Sequence, residues 1–238
     1  MSESGVRPHE PYRDEIVGSL TPVRPLPAPS RRTWALVPLG LAVAVTASAL
    51  TGERGDLDAY TPLLTWGATG VQTLLGLWLL ALGFREAVPG RNVSWRALTL
   101  ASVLAVALVG GLTFLTNAAS PTVVRAGHEW QYWSECVAWP LAIGTPFMIL
   151  ATLMAARAFP TRPAVAGALC GTSAGILSDA GWRLSCWISA PAHVVSSHGL
   201  AILALAITGS LLAVAADSPR WSRFRSRSQE QLRARDER

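Results

Sequence analysis

Three cysteines and four histidines are the scarce reactive side chains of this 238-residue chain. All of them except His9 fall in its second half. Cys136 and Cys186 carry thiols that can pair, bind a soft metal or answer to oxidants. His128, His193, His198 and Asp179 add imidazoles and a carboxylate to the same stretch of chain. The spacing of these residues matches no metalloenzyme motif. His193 and His198 are five apart, which on an α-helix does not give them a well-shared face. No catalytic residue, cofactor or metalloenzyme centre is therefore expected, and Cys136 and Cys186 keep the redox and soft-metal options. Cys170 falls inside an apolar run and reads as a small apolar filler.

The elements that must position these residues are long and apolar. Half of the chain is hydrophobic and 15% is charged, against about 25% in an ordinary soluble domain. The net charge of +5 comes with 20 basic residues, every one an arginine. The arginines sit between uncharged stretches rather than on a patch, so direct nucleic-acid binding is not expected. A soluble enzyme domain, a disordered chain and a disulfide-dense secreted domain are excluded on the same grounds. The first 33 residues are polar and Pro-rich, without the apolar core of a cleavable signal.

Six apolar runs follow, at about 34–50, 60–84, 97–115, 137–159, 164–182 and 194–216. Each approaches the roughly 20 residues needed to cross a bilayer as a helix. The fold class is therefore an all-α polytopic bundle of six membrane helices, with a cytoplasmic segment 1–33, a transmembrane domain 34–216 and a basic tail 217–238. Seventeen arginines fall on the side of the two termini, and three, Arg54, Arg125 and Arg183, on the other. The excess of positive charge predicts cytoplasmic termini. Cys136 and Cys186 then share the outer face, where an oxidising compartment permits a disulfide, a soft-metal site or a redox sensor. Trp130, Trp133, Trp139, Trp182 and Trp187 gather at the same rim, as an interfacial belt would.

The fifth run carries Gly167, Gly171 and Gly175 on one helix face, a spacing that lets another backbone approach closely. The ridge serves either packing within the chain or a homo-oligomer. Gly70, Gly76 and Gly83 form a less regular set in the second run.

The polar ends suggest a partner. Residues 12–20 can form a short helix whose apolar edge holds Ile16, Val17 and Leu20. Pro22, Pro25, Pro27 and Pro29 then favour an extended strut. A helix on a strut, tethered to the bilayer, suits capture of a soluble partner by the helix-in-groove mode. The tail places Arg220, Trp221, Arg223, Phe224, Arg225 and Arg227 below the last run, where they would hold anionic headgroups.

Four features resemble the NrsF-type membrane anti-sigma factors. These are the Leu20–Leu26 run (LTPVRPL) leading to Pro29 and Arg31-Arg32, the Ser134-Glu135-Cys136 entry to the fourth run, the small-residue fifth run, and Cys186 followed by His193 and His198. The resemblance implies six spans in a bacterial inner membrane and an extracytoplasmic-function sigma factor as partner. It implies partner contacts at Ile16, Leu20, Val23, Arg24 and Leu26, and a part in the response for Cys136 and Cys186. Light-responsive members of this group extend the expectation to repression of carotenoid synthesis genes, relieved by light-generated oxidants. A small transporter or channel is the alternative. The first three runs carry no Asp, Glu, Lys, Arg or His, and ion-coupled transport usually needs such groups at mid-membrane. An enzyme acting at the outer rim comes third.

Overall fold

The computed structural model describes residues 26–119 and 132–218. Six long helices carry the described chain: α1 (Pro29–Thr51), α2 (Leu63–Glu86), α3 (Trp95–Ala119), α4 (Trp133–Ala156), α5 (Pro163–Trp182) and α6 (Pro191–Asp217). No strand occurs among the described residues. Proline opens α1, α5 and α6, where its fixed φ suits the first turn and no N–H is missed. Helix α1 therefore starts at Pro29, within what the sequence reads as strut, and takes Arg31 and Arg32 into its first turns. Pro38, Pro140 and Pro146 lie inside helices. Hydroxyls in these apolar segments return to their own helix, as Thr46 does to the Ala42 carbonyl and Thr145 to that of Leu141 (both 2.6 Å).

Five of the six, all but α5, are long and apolar enough to cross a membrane. This is one fewer than the six runs predict. Helix α5 has the length, but its glycines, Ser173, Ser178 and Asp179 dilute its apolar character. Its position explains the tolerance: α5 is the central helix, packed on α1, α2, α4 and α6, and buried from Ser173 through Trp182. A helix enclosed by other helices needs little apolar surface of its own. The outward faces of the others are apolar, with Leu63, Val106, Trp34 and Phe114 mostly exposed.

Small residues set these contacts. A Cβ on Gly167 would sit 2.2 Å from the Gly209 carbonyl oxygen, one on Gly171 2.1 Å from that of Leu205, and one on Gly175 2.8 Å from the Ile202 Cα. The glycine ridge is thus spent on α6, inside the chain. Gly76 and Gly83 face Leu177 and Cys170 of α5, whereas Gly70 faces open space. Read along the helices, these pairs make α5 antiparallel to α2 and α6. Gly40 against Leu177 and Gly181 against Ala44 make it parallel to α1. The start of α1 and the end of α6 therefore share one end of the bundle. Cys136, Trp182 and Cys186 mark the other.

At the terminal end, Glu86 is fully buried and accepts from Arg162 Nε and Nη2 and from the Val93 backbone N–H, each at 2.7 Å. Arg162 also donates to the Val93 carbonyl and stacks on Trp95. The loops after α2 and α4 are thereby clamped together. Arg32, also buried, donates to the Met154 carbonyl (3.2 Å) and lies over the Phe84 ring.

Candidate functional site

The opposite end gathers the reactive side chains. Cys136 stands in the first turn of α4. Cys186 follows α5 in a tight turn, its backbone N–H on the Trp182 carbonyl (2.8 Å). The two sulfurs are 3.5 Å apart and unbonded, and both cysteines are buried. Contact with Cys136 and burial push the Cys186 thiol well above the usual thiol range. Around the pair pack Ala47 of α1, Trp182 and Ile188.

His193 and His198 join the thiols. On a regular α-helix, five residues would leave them roughly 140° apart around the axis, which is why the sequence argues against a shared face. Residues Val194–His198 instead form a single π-helical turn, closed by the Gly199 N–H on the Val194 carbonyl. The extra residue in that turn swings the two imidazoles together, with ring centroids 5.8 Å apart. His193 Nε2 lies 3.8 Å from Cys186 Sγ. One ligand atom from each of Cys136, Cys186, His193 and His198 can be chosen so that all four lie within 4.8 Å of one another, and all four residues are buried.

A carboxylate fixes His198. Asp179, fully buried on α5, lies 2.6 Å from His198 Nδ1. It also accepts from Gln72 Nε2 (2.5 Å) and Arg183 Nε (3.0 Å). In the neutral ring, a carboxylate facing Nδ1 keeps the proton on that nitrogen and leaves the lone pair on Nε2. That Nε2 is buried and has no hydrogen-bond partner. Arg183 is held further by the Thr113 hydroxyl of α3 (2.8 Å).

Beside the cluster, Arg54 of the α1–α2 loop pairs with Asp56 and donates to the Tyr60 hydroxyl (3.0 Å), the Ser189 hydroxyl (3.3 Å) and the Trp187 carbonyl (3.1 Å). A cavity of about 50 Å³ opens there, lined by Arg54, Tyr60, Arg183, Cys186 and His198 among others. The tryptophans do not all form a belt. Trp182 is buried and stacks on Trp139 with centroids 5.9 Å apart, whereas Trp187 remains partly exposed.

Of the residues the sequence assigns to partner contact, Ile16, Leu20, Val23 and Arg24 lie outside the described residues, as do His128, Trp130 and the tail from residue 219. Leu26 is described; it is half exposed and precedes the first turn of α1. Sequence reasoning missed Gln72 as a partner of Asp179 and the pairing of Glu86 with Arg162, both of which join distant parts of the chain. The only local signal for the π turn is a pair of histidines five apart.

No curated protein and no solved structure matches the chain. The family described as negative regulator of sigma F (NrsF) matches residues 16–217, from inside the N-terminal segment to the last residue of α6. The chain belongs to the NrsF family, the negative regulators of sigma F.

Proposed function

We propose that this chain is a bacterial inner-membrane anti-sigma factor that holds an extracytoplasmic-function sigma factor through its N-terminal segment. The observation that carries this reading is the extent of the family match, which starts at Ile16 and so takes in the segment before α1 as well as the bundle. Ile16, Leu20, Val23, Arg24 and Leu26 supply the apolar edge and the charge of the binding stretch. The bundle acts as the anchor and as the receiver of the signal; no catalytic step is assigned to it.

The stimulus acts at Cys136 and Cys186. Helix α1 supplies the route from there to the partner. Ala47 packs beside the thiols, and Arg32, fifteen residues earlier, is held at the opposite end by Met154 and Phe84. Fifteen helical residues span about 22 Å. A change in packing at Ala47 therefore has a path to the root of the N-terminal segment along one continuous helix. Oxidants, including those generated by light, are the stimuli that thiols read, which is how control of carotenoid genes would connect to this chain.

The test is co-purification of the full-length chain from membranes of its host. A sigma factor should accompany the wild type at near-stoichiometric amount and be lost on Leu20→Asp, while the bundle still inserts. A wild-type chain that brings down no sigma factor overturns the reading and moves a small transporter or channel to first place.

A further inference from the structure

We propose that Cys136, Cys186, His193 and His198 form a binding site for one thiophilic d10 cation of the Zn²⁺ class, with Asp179 positioning His198 as a ligand. The argument rests on the ligand set alone and does not depend on the N-terminal segment holding a sigma factor.

Three observations converge. The first is size. With Zn–S near 2.3 Å and Zn–N near 2.0–2.1 Å, a tetrahedral S₂N₂ site has ligand–ligand edges of about 3.4–3.8 Å. The sulfurs stand 3.5 Å apart and Cys186 Sγ is 3.8 Å from His193 Nε2, while the whole set lies within 4.8 Å. Contraction of the longer edges by about 1 Å completes the polyhedron.

The second is an unmet need. His198 Nε2 is a buried nitrogen without a hydrogen-bond partner. Its ring is held at the other nitrogen by Asp179, so Nε2 is the atom His198 has left to offer. A buried polar atom left without a partner costs free energy, and a cation among these four atoms relieves that cost.

The third is the outer support. A carboxylate on the far nitrogen of a histidine is the usual partner of a metal-ligating imidazole, fixing its tautomer and raising its basicity. Asp179 fills this role, and Gln72 and Arg183 hold Asp179 in turn. The π turn that brings His193 and His198 together serves the same geometry. The cavity lined by Arg54 and Arg183 reaches Cys186 and His198 and gives a way in, and both arginines are already paired with carboxylates.

On binding, both thiols become thiolates and their two protons leave to solvent. Two sulfurs and two imidazoles select Zn²⁺ or Cd²⁺ over the harder Mg²⁺ and Ca²⁺.

The full-length chain, purified in detergent and kept reduced, is loaded with Zn²⁺ and its coordination read by X-ray absorption. One Zn²⁺ per chain with two sulfur and two nitrogen neighbours is expected. A wild-type chain that retains no Zn²⁺ through gel filtration, or a zinc shell with fewer than two sulfurs, overturns the site without any variant having to fold. Asp179→Asn should keep the two-sulfur, two-nitrogen signature and lower affinity about 10- to 100-fold; unchanged affinity removes Asp179 from the positioning role. An S₂N₂ shell that survives the double change His193→Gln and His198→Gln overturns the histidine ligands. Sigma-factor binding is measured separately, so failure of one reading is distinguishable from failure of the other.

Discussion

Glu86 shows what a single side chain contributes here. It is fully buried and answers three donors, two from Arg162 and one from the Val93 backbone. Removing one partner of a buried pair typically costs about 3–5 kcal/mol, because the other is left without compensation. Arg162 keeps some contact with solvent, so Glu86→Ala should fall near the lower end, about 3 kcal/mol. Thermal unfolding in detergent would show it, and Glu86→Gln, which retains an acceptor, should lose less. In the sequence, Arg162 is one of twenty arginines and Glu86 lies 76 residues away, so nothing local links them. The thiols were more legible, because topology alone places Cys136 and Cys186 at one face. Their separation needed the fold. If the pair receives the stimulus, Cys136→Ser and Cys186→Ser should each abolish induction of a sigma-dependent reporter. An unchanged response in both would end the sensor role.

At the level of elements, the glycine ridge and the π turn contrast in how far sequence reaches. The four-residue spacing of Gly167, Gly171 and Gly175 marks a close helix contact, and the structure supplies the partner, α6. A methyl group at Gly171 meets the Leu205 backbone, which cannot swing aside as a side chain can. Gly171→Ala should therefore cost about 1–3 kcal/mol, the range for overpacking. Gly70→Ala, with nothing within 4 Å, should be neutral or stabilising by up to about 1 kcal/mol; the two unfolding midpoints compared in detergent check the pair. The π turn was hidden, because patterns of apolar residues assume 3.6 residues per turn. Deletion of Val195, which is mostly exposed, should return the turn to an ordinary α-helix and leave His193 and His198 four residues apart, about 40° around the axis. Zinc loaded into that variant should keep both nitrogen neighbours while the chain still inserts. Loss of a nitrogen neighbour would show that the site needs the π turn itself and not only a shared helix face.

For the whole molecule, the number of crossings decides which side each terminus occupies. Hydropathy picks five helices, which by parity would put the termini on opposite sides. The packing points elsewhere. Helix α5 lies against α6 from Gly167 beside Gly209 and Ala213 to Gly175 beside Ile202, and Asp179 reaches His198 beyond. An element that accompanies a span over that length would traverse the same thickness. Its polar atoms are tolerated because other helices, rather than lipid, surround them. The sequence registers α5 as an apolar run but carries no sign of this enclosure, which arises only when four helices close around it. Of the three arginines that the sequence assigns to the outer side, Arg54 is neutralised by Asp56 and Arg183 by Asp179. Six crossings would put both termini on one side, and the excess of arginine predicts that side to be the cytoplasm, with the thiol end outward. Fusions of a fluorescent protein, active only in the cytoplasm, and of alkaline phosphatase, active only outside, read this directly. Placed after residue 238 or before residue 1, the fluorescent protein should report and the phosphatase should not. Inserted within 120–131, between α3 and α4, the phosphatase should be active. Termini on opposite sides would mean that α5 does not cross, and the route along α1 from the thiols to the N-terminal segment would then need a different geometry.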